Sequence, residues 1–203
     1  KTHKGLCGII YTFTRKEAES TAEFLSESGY SAKAYHAGLS NDRKNEVFND
    51  FVYEKIDIVV ATIAFGMGID KSNIRFVIHT SLSKTLENYY QEIGRAGRDG
   101  EMSYVYMLYS KSDEVKRKIQ IEEAIDDGYK QTGLDKLEFM YRYCVSNNCR
   151  HKMIAGYFED EIEACKTLCD NCTKGEVKQV DVSVDAQKLL SAIYRSEQRF
   201  GLN

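Results

Sequence analysis

Apolar positions along the first half of the chain follow two alternating rhythms. The runs CGIIYTF (7–13), SAKAY (31–35), IDIVV (56–60), RFVIHT (75–80) and MSYVYMLY (102–109) are short and rich in β-branched and aromatic residues, which predicts five strands. Helical spacing separates them. Thr14 with Glu17 three residues later is a capping-box start, and Ala18, Ala22 and Leu25 continue one apolar stripe until Gly29. Ser40 suits the start of the next helix, with Val47, Phe48 and Phe51 facing inward. Strict alternation of strand and helix predicts an α/β fold, a parallel sheet covered by helices on both faces. Such sheets bind ligands at the carboxyl ends of their strands.

The rhythm changes near Ser110. SDEVKRKIQIEEA and GLDKLEFMYRYC both have a helical period, and a turn around Asp126 to Gly133 would fold them into a hairpin that leads into a cysteine cluster. TKGEVKQVDVSV then has the polarity of a linker, and DAQKLLSAIYRSEQRF begins another amphipathic helix that runs out with nothing after it to pack on. The pattern predicts three domains: an α/β lobe over 1–110, a helical hairpin with the cysteine cluster over 111–180, and the start of a truncated third domain over 181–203. No internal repeat interrupts it.

Composition narrows the class. With 203 residues, 42% of them hydrophobic, the chain can bury one good core and a smaller one. No apolar run nears the roughly 18 residues that span a bilayer, and the first residues lack a signal-peptide pattern, so an intracellular protein without a membrane partner is expected. The net charge of -3 is spread evenly, so any contact with nucleic acid has to come from local arrangement rather than bulk attraction. There is no proline, which reads as a bias of the source genome.

YYQEIGRAGRDGE (89–101) has the most pointed chemistry. If the segment stays helical, Gln91, Arg95 and Arg98 fall within about 60° of one another, a fork of cations suited to bidentate recognition of phosphate oxygens. Gly94 and Gly97 would let a second surface approach closely. The competing reading is a surface helix whose arginines pair with Glu92 and Asp99. Upstream, IVVATIAFGMGID (58–70) is a buried strand entering a glycine-punctuated loop, in which Gly68 and Asp70 are candidates for cradling phosphate and contacting a ribose. No G-x-x-x-x-G-K-[ST] loop and no D-E-x-H-type acidic motif occurs in these 203 residues, so this polypeptide alone is not expected to hydrolyse ATP.

Five of the six cysteines lie between positions 144 and 172, which in an intracellular chain favours metal over disulfides. Cys149, Cys165, Cys169 and Cys172 form C-x15-C-x3-C-x2-C, four thiolates that satisfy tetrahedral Zn²⁺ and leave no open position, hence a structural site. Cys144 reads as a packed thiol and Cys7 as core, and His151 follows Cys149 too closely to share the ion easily.

Taken together, GIIYTFTRKEAE, YHAGLS, VVATIAFGMGIDK, VIHTSLSKTLENYYQEIGRAGRDG and the cluster ending CDNC resemble the second RecA-like lobe and zinc module of the RecQ family, in the family's order and over essentially the whole chain. The resemblance implies a superfamily 2 enzyme that uses ATP and Mg²⁺ to move 3′ to 5′ on single-stranded DNA and to open duplex junctions. By position, Arg98 would be the arginine finger, Arg95 would serve the nucleotide and its coupling, and Gln91 matches the motif's glutamine. A first lobe of the same polypeptide would supply the phosphate-binding lysine and the magnesium-binding acids. The family pattern also points to Thr14, Arg15, His36, Gly38 and Thr62 for DNA contacts, and to the 181–203 segment as the start of a winged helix. DNA repair and recombination are implied, and the x3 spacing suggests a nuclear rather than a bacterial cytoplasmic protein. Ser72 and Ser83 stand where the family often has proline, which predicts looser loops. Two competing functions are a zinc-stabilised DNA-binding scaffold that never meets ATP, and the same motor acting on RNA.

Overall fold

The computed structural model describes residues 5–66, 69–124, 127–174 and 181–195. The chain divides into two compact units, 1–146 and 147–203.

The first unit is built on five parallel strands: β1 (Gly8–Tyr11), β2 (Ala32–Tyr35), β3 (Ile58–Ala61), β4 (Phe76–His79) and β5 (Tyr104–Met107). Their spatial order is β2-β3-β1-β4-β5. Each predicted strand is present, trimmed to four residues. Because side chains alternate across a strand, the register of Ile9 opposite Val59 and Val77 sets one face, and Ile10 opposite Val60 and Ile78 sets the other. On the first face, Ile9, Val59 and Val77 pack with Val47 and Phe51 of α2 (Asn41–Val52) and with Phe65, Ile69 and Ile74 of the connection that follows β3. On the second, Ile10, Ile58 and Val60 meet Ala18 and Ala22 of α1 (Arg15–Glu27). Full burial of one such branched or aromatic side chain contributes roughly 1.5–3 kcal/mol, so these two layers dominate the lobe's stability.

Both predicted caps form. The Thr14 hydroxyl accepts from Glu17 N at 3.1 Å while the Glu17 carboxylate accepts from Thr14 N at 3.1 Å, and Ser40 accepts from Arg43 N at 3.3 Å. β5 is an edge strand, and Tyr104, Val105 and Tyr106 remain exposed.

α3 (Leu86–Ile93), α4 (Lys111–Ala124) and α5 (Asp127–Val145) complete this unit. The hairpin formed by α4 and α5 lies on the lobe: Arg117 Nε donates to Leu82 O at 2.9 Å, Lys136 pairs with Glu87 at 2.6 Å, and the rings of Tyr89 and Tyr143 lie 5.6 Å apart. Asp126, where the predicted turn begins, lies outside the described residues, and the rest of that span is helix. Asp127 to Gly133 are helical, and Gln131 Nε2 donates to Asp135 one turn later at 2.7 Å, so packing and local bonds override a cost of about 1 kcal/mol per helical glycine. Cys144 is a packed thiol, 3.4 Å from Met107 Sδ.

The second unit contains α6 (Arg150–Tyr157), the short α7 (Asp170–Thr173) and α8 (Ser183–Arg195). It has little core: among its described residues only Cys149 is buried. A forked ion pair from Arg150 to Asp170, at 3.0 and 3.2 Å, and a bond from Asn171 Nδ2 to Asn148 O at 2.7 Å tie its segments together. Val184, Leu189, Leu190 and Tyr194 of α8 are exposed. No described helix is long and apolar enough to cross a membrane.

Candidate functional site

Thr85 caps α3, its hydroxyl accepting from Asn88 N at 3.2 Å, and the helix places Tyr90 and Gln91 on an exposed face. It does not continue to Arg98 as the helical spacing predicts. α3 ends at Ile93, Gly94 caps it, and Gly97 adopts φ +69°, a left-handed turn that glycine enters at little cost. Gly97 N donates to Ile74 O at 2.9 Å, which pins the turn to the lobe. The expectation that Gly97 opens room for a second surface is therefore corrected. A Cβ there would lie 2.7 Å from Ser103 Oγ and 3.0 Å from Glu101 O, so the missing side chain serves the lobe's own packing.

The turn nonetheless brings the predicted cations together. Gln91, Arg95 and Arg98 line an open groove of about 680 Å³ with Gly66, Ile69, Asp70, Tyr90 and Gly94. Gly68 lies outside the described residues. Arg98 is anchored along one edge, donating to Gly94 O at 3.2 Å and to Ile69 O at 3.2 Å, and it reaches Asp70 at 3.4 Å. Its side chain keeps 40% exposure and Asp70 keeps 98%, so this pair is solvated and worth at most about 1 kcal/mol. Arg95 Nε is buried without a hydrogen-bond partner, and its Nη2 lies where a Cβ on Gly66 would sit 2.9 Å away.

The carboxylates that the sequence offers as partners are engaged elsewhere. Glu92 receives His79 at 2.6 Å and the Ser83 hydroxyl at 3.4 Å, and Asp99 receives Arg75 at 2.6 Å. The arginine beside Asp99 holds its carboxyl below the usual range. Both guanidinium groups thus face the groove without a buried counter-ion among the described residues.

Thr14, Arg15, His36, Gly38 and Thr62 follow the ends of β1, β2 and β3 along the carboxyl edge of the sheet. Thr14, Arg15 and Gly38 are exposed. Arg15 lies against the turn after β2, where a Cβ on Gly38 would be 3.1 Å from Arg15 Nη1 and 3.2 Å from His36 Nδ1. The His36 ring is only 4% exposed and shares Nε2 with Glu19 at 3.0 Å, so it sits beneath this edge rather than on it.

Sequence reading missed a polar pocket of about 180 Å³ at the ends of β1 and β4, lined by residues that include Thr12, His79, Ser81, Ser83, Lys84, Glu92 and Arg117. Arg117 stacks over the Phe13 ring at 4.4 Å, and burial lowers its pKa. The one signal in the sequence was Ser83 in a proline-type position. Its hydroxyl bonds Glu92, so it adds a contact as well as any looseness.

In the second unit, donor atoms of Cys149, His151, Cys165 and Cys169 all lie within 4.8 Å of one another, and the Cys172 thiol lies close enough to interact with those of Cys169, Cys149 and Cys165. The prediction that His151 stands too close in sequence to join is corrected: the first turn of α6 swings its ring toward the cluster, giving five donors for four positions. The thiols do not ionise alike. Burial opposes ionisation of Cys149, but N–H groups of Cys165 and Lys152 outweigh it and bring its pKa to about 6. Burial and the neighbouring sulfurs push Cys172 up to about 12. Several thiolates this close repel one another unless a divalent cation sits among them, so the donor set fits Zn²⁺, which would cross-link Cys149 to the 165–172 segment.

Three family descriptions match in succession: the helicase conserved C-terminal domain over residues 1–100, RecQ zinc-binding over 111–173, and the RQC domain over 176–203. The ATP-dependent DNA helicase RecQ of Bacillus subtilis is 44% identical over 195 residues, covering 96% of this chain and 33% of that protein. The RecQ-like DNA helicase blm-1 of Caenorhabditis elegans is 40% identical over 208 residues, covering 97% of this chain and 21% of that one. The chain thus spans a third or less of the length of these relatives. The E. coli DEAD-box protein SrmB, solved bound to regulator of ribonuclease activity A, superposes with a TM-score of 0.50 at 17% identity, covering 62% of this chain and 73% of that one, a likeness of fold alone.

Proposed function

We propose, from the premise that this chain belongs to the RecQ family and carries its C-terminal helicase region, that it is the half of an ATP-dependent DNA helicase that completes the nucleotide site and grips the DNA backbone. One observation carries this reading: Gln91, Arg95, Arg98 and Asp70 converge on one open groove whose cations no buried carboxylate among the described residues neutralises. A triphosphate held with Mg²⁺ by another lobe of the same polypeptide would supply the missing anion. Arg98 would then stabilise charge as the γ-phosphoryl leaves, with Arg95 and Gln91 orienting the nucleotide and Asp70 and Gly68 lying near its ribose and phosphates. Closing and opening of the two lobes on ATP would step the protein 3′ to 5′ along single-stranded DNA. Backbone phosphates would be met by Thr14, Arg15, Gly38 and Thr62, with His36 supporting them from below.

In the same proposal, residues 1–110 act as the motor lobe, 111–180 as its zinc-bearing support, and 181–203 as the beginning of a winged helix. Four thiolates, Cys149, Cys165, Cys169 and Cys172, would hold a structural Zn²⁺, with His151 within reach as a competing donor. Work in DNA repair and recombination, in a nucleus, follows from the same reading.

The test uses the full-length parent protein. Arg98→Ala should lower DNA-stimulated ATP hydrolysis by about 10³-fold or more while DNA binding persists. Hydrolysis near the wild-type rate in Arg98→Ala would overturn the arginine-finger assignment, and a wild-type parent that shows no DNA-stimulated hydrolysis would overturn the motor reading and leave a DNA-binding scaffold.

A further inference from the structure

Tyr11 ends β1 inside the lobe, 4% exposed, where a phenylalanine would fill the same space. Its hydroxyl donates to Phe65 O at 2.9 Å, a bond across 54 residues of sequence that ties the sheet to the connection following β3. That connection turns sharply, with Phe65 N donating to Thr62 O at 3.1 Å. It carries Thr62 at one end and, at the other, Gly66, the residue on which Arg95 rests. Arg95 also lies against the Tyr11 hydroxyl, close enough for its charge to act on the phenol. The other face of the Tyr11 ring stacks on His79, with centroids 5.1 Å apart and planes at 23°, and His79 binds Glu92 of α3 at 2.6 Å. One phenol therefore touches the loop of the strand-end row and an arginine of the groove, and through His79 it is linked to the helix that precedes that arginine.

Arg95 needs such a support. Its Nε is buried with no hydrogen-bond partner, it has no ion pair among the described residues, and it lies two residues past the end of α3. An arginine in this position has several rotamers of similar energy unless something selects one.

We propose that Tyr11 is a positioning residue: its hydroxyl holds the Thr62–Gly66 loop and Arg95 in one arrangement, so that occupation of the strand-end edge by DNA is felt in the arginine groove. This rests on the motor reading above and adds to it the residue that links the two ends of the loop. The Phe65 carbonyl lies between the Thr62 end and the Gly66 end, so its bond to Tyr11 makes a shift at either end act on the phenol and on the arginine beside it.

The experiment compares Tyr11→Phe, Gly66→Ala, Arg95→Ala and the double variant Tyr11→Phe/Arg95→Ala in the full-length parent, with Arg98→Ala alongside. Misplacing a catalytic group by about 1 Å can cost roughly a hundredfold in rate, and a smaller shift costs less. Tyr11→Phe should therefore lower kcat for DNA-stimulated hydrolysis about tenfold, while KM for ATP and Kd for a single-stranded oligonucleotide stay within about twofold. Adding Tyr11→Phe to Arg95→Ala should produce no further loss, because the hydroxyl acts through that arginine. Gly66→Ala, which leaves the phenol intact but displaces Arg95, should show the same split between kcat and KM, and it keeps the proposal testable should Tyr11→Phe fold poorly. Wild-type kcat in Tyr11→Phe, losses that multiply in the double variant, or a rise in KM matching the fall in kcat would each overturn the proposal. Hydrolysis that survives Arg98→Ala would instead remove the nucleotide-groove assignment beneath it.

Discussion

The α/β lobe and the cysteine unit reach a fixed structure by opposite means. In the lobe, Ile9, Val47, Phe51, Val59 and Val77 are completely buried, and β1, β3 and β4 each contribute to both faces of a two-sided core. In residues 147–174 the one buried side chain is a cysteine, and α6 buries nothing else. A segment with so little apolar burial cannot offset its conformational entropy by hydrophobic contact, so its order has to come from cross-links. Cys149, His151, Cys165 and Cys169 around one point, with the Cys172 thiol beside them, can form such a cross-link through a metal, and the Arg150–Asp170 fork is a weaker one. The difference also separates two kinds of chemistry: the lobe uses its rigidity to present arginines, whereas the cysteine unit uses its chemistry to become rigid.

Removing the metal strains the contrast hardest. Structural zinc supplies roughly 10–16 kcal/mol of apparent folding free energy in small modules, so a strong chelator, or Cys169→Ser, should abolish amide protection across 147–174 in hydrogen exchange. The β1–β4 amides should stay protected, and equal loss in both units would refute the distinction. Next in size is the converse: Phe51→Ala should cost the lobe about 3–5 kcal/mol in denaturant unfolding, with zinc still near one per chain by mass spectrometry. Gly97→Ala should cost about 1–2 kcal/mol from its left-handed backbone, more if Ser103 cannot move aside, and should lower hydrolysis in the parent by displacing Arg98.

The smallest effect is one of pH. The Asp99 carboxyl is held below its ordinary value by Arg75, so its contribution is fully present above the unfolded pKa near 4 and fades as pH falls below it. Arg75→Ala should flatten the stability profile of the lobe on the acid side of about pH 4, with no change at neutrality beyond the lost contact itself.

The strands, the capped helices and the grouping of cysteines were legible in the sequence because each depends on local rules. Alternation gives a strand, a serine or threonine before an acidic third residue gives a helix start, and a tight C-x3-C-x2-C run gives a metal site wherever Cys149 can reach it. The convergence of Gln91, Arg95 and Arg98 was also legible, although for a reason that did not hold: the segment is half helix and half turn, and the turn aims the arginines at the groove. Which carboxylate each cation meets was beyond local rules. Glu92 and Asp99 neighbour the arginines in sequence but bond His79 and Arg75, because the parallel sheet places β4 beneath α3. Tyr11 read as one more apolar strand residue, and its partner Phe65 lies 54 positions away. The order of charges and hydroxyls along a chain determines what chemistry it can offer, while the crossing of its strands decides which of them touch. That separation is physical: helix and strand periods act over a few residues, whereas a hydrogen bond between distant segments exists only once the core has closed around both.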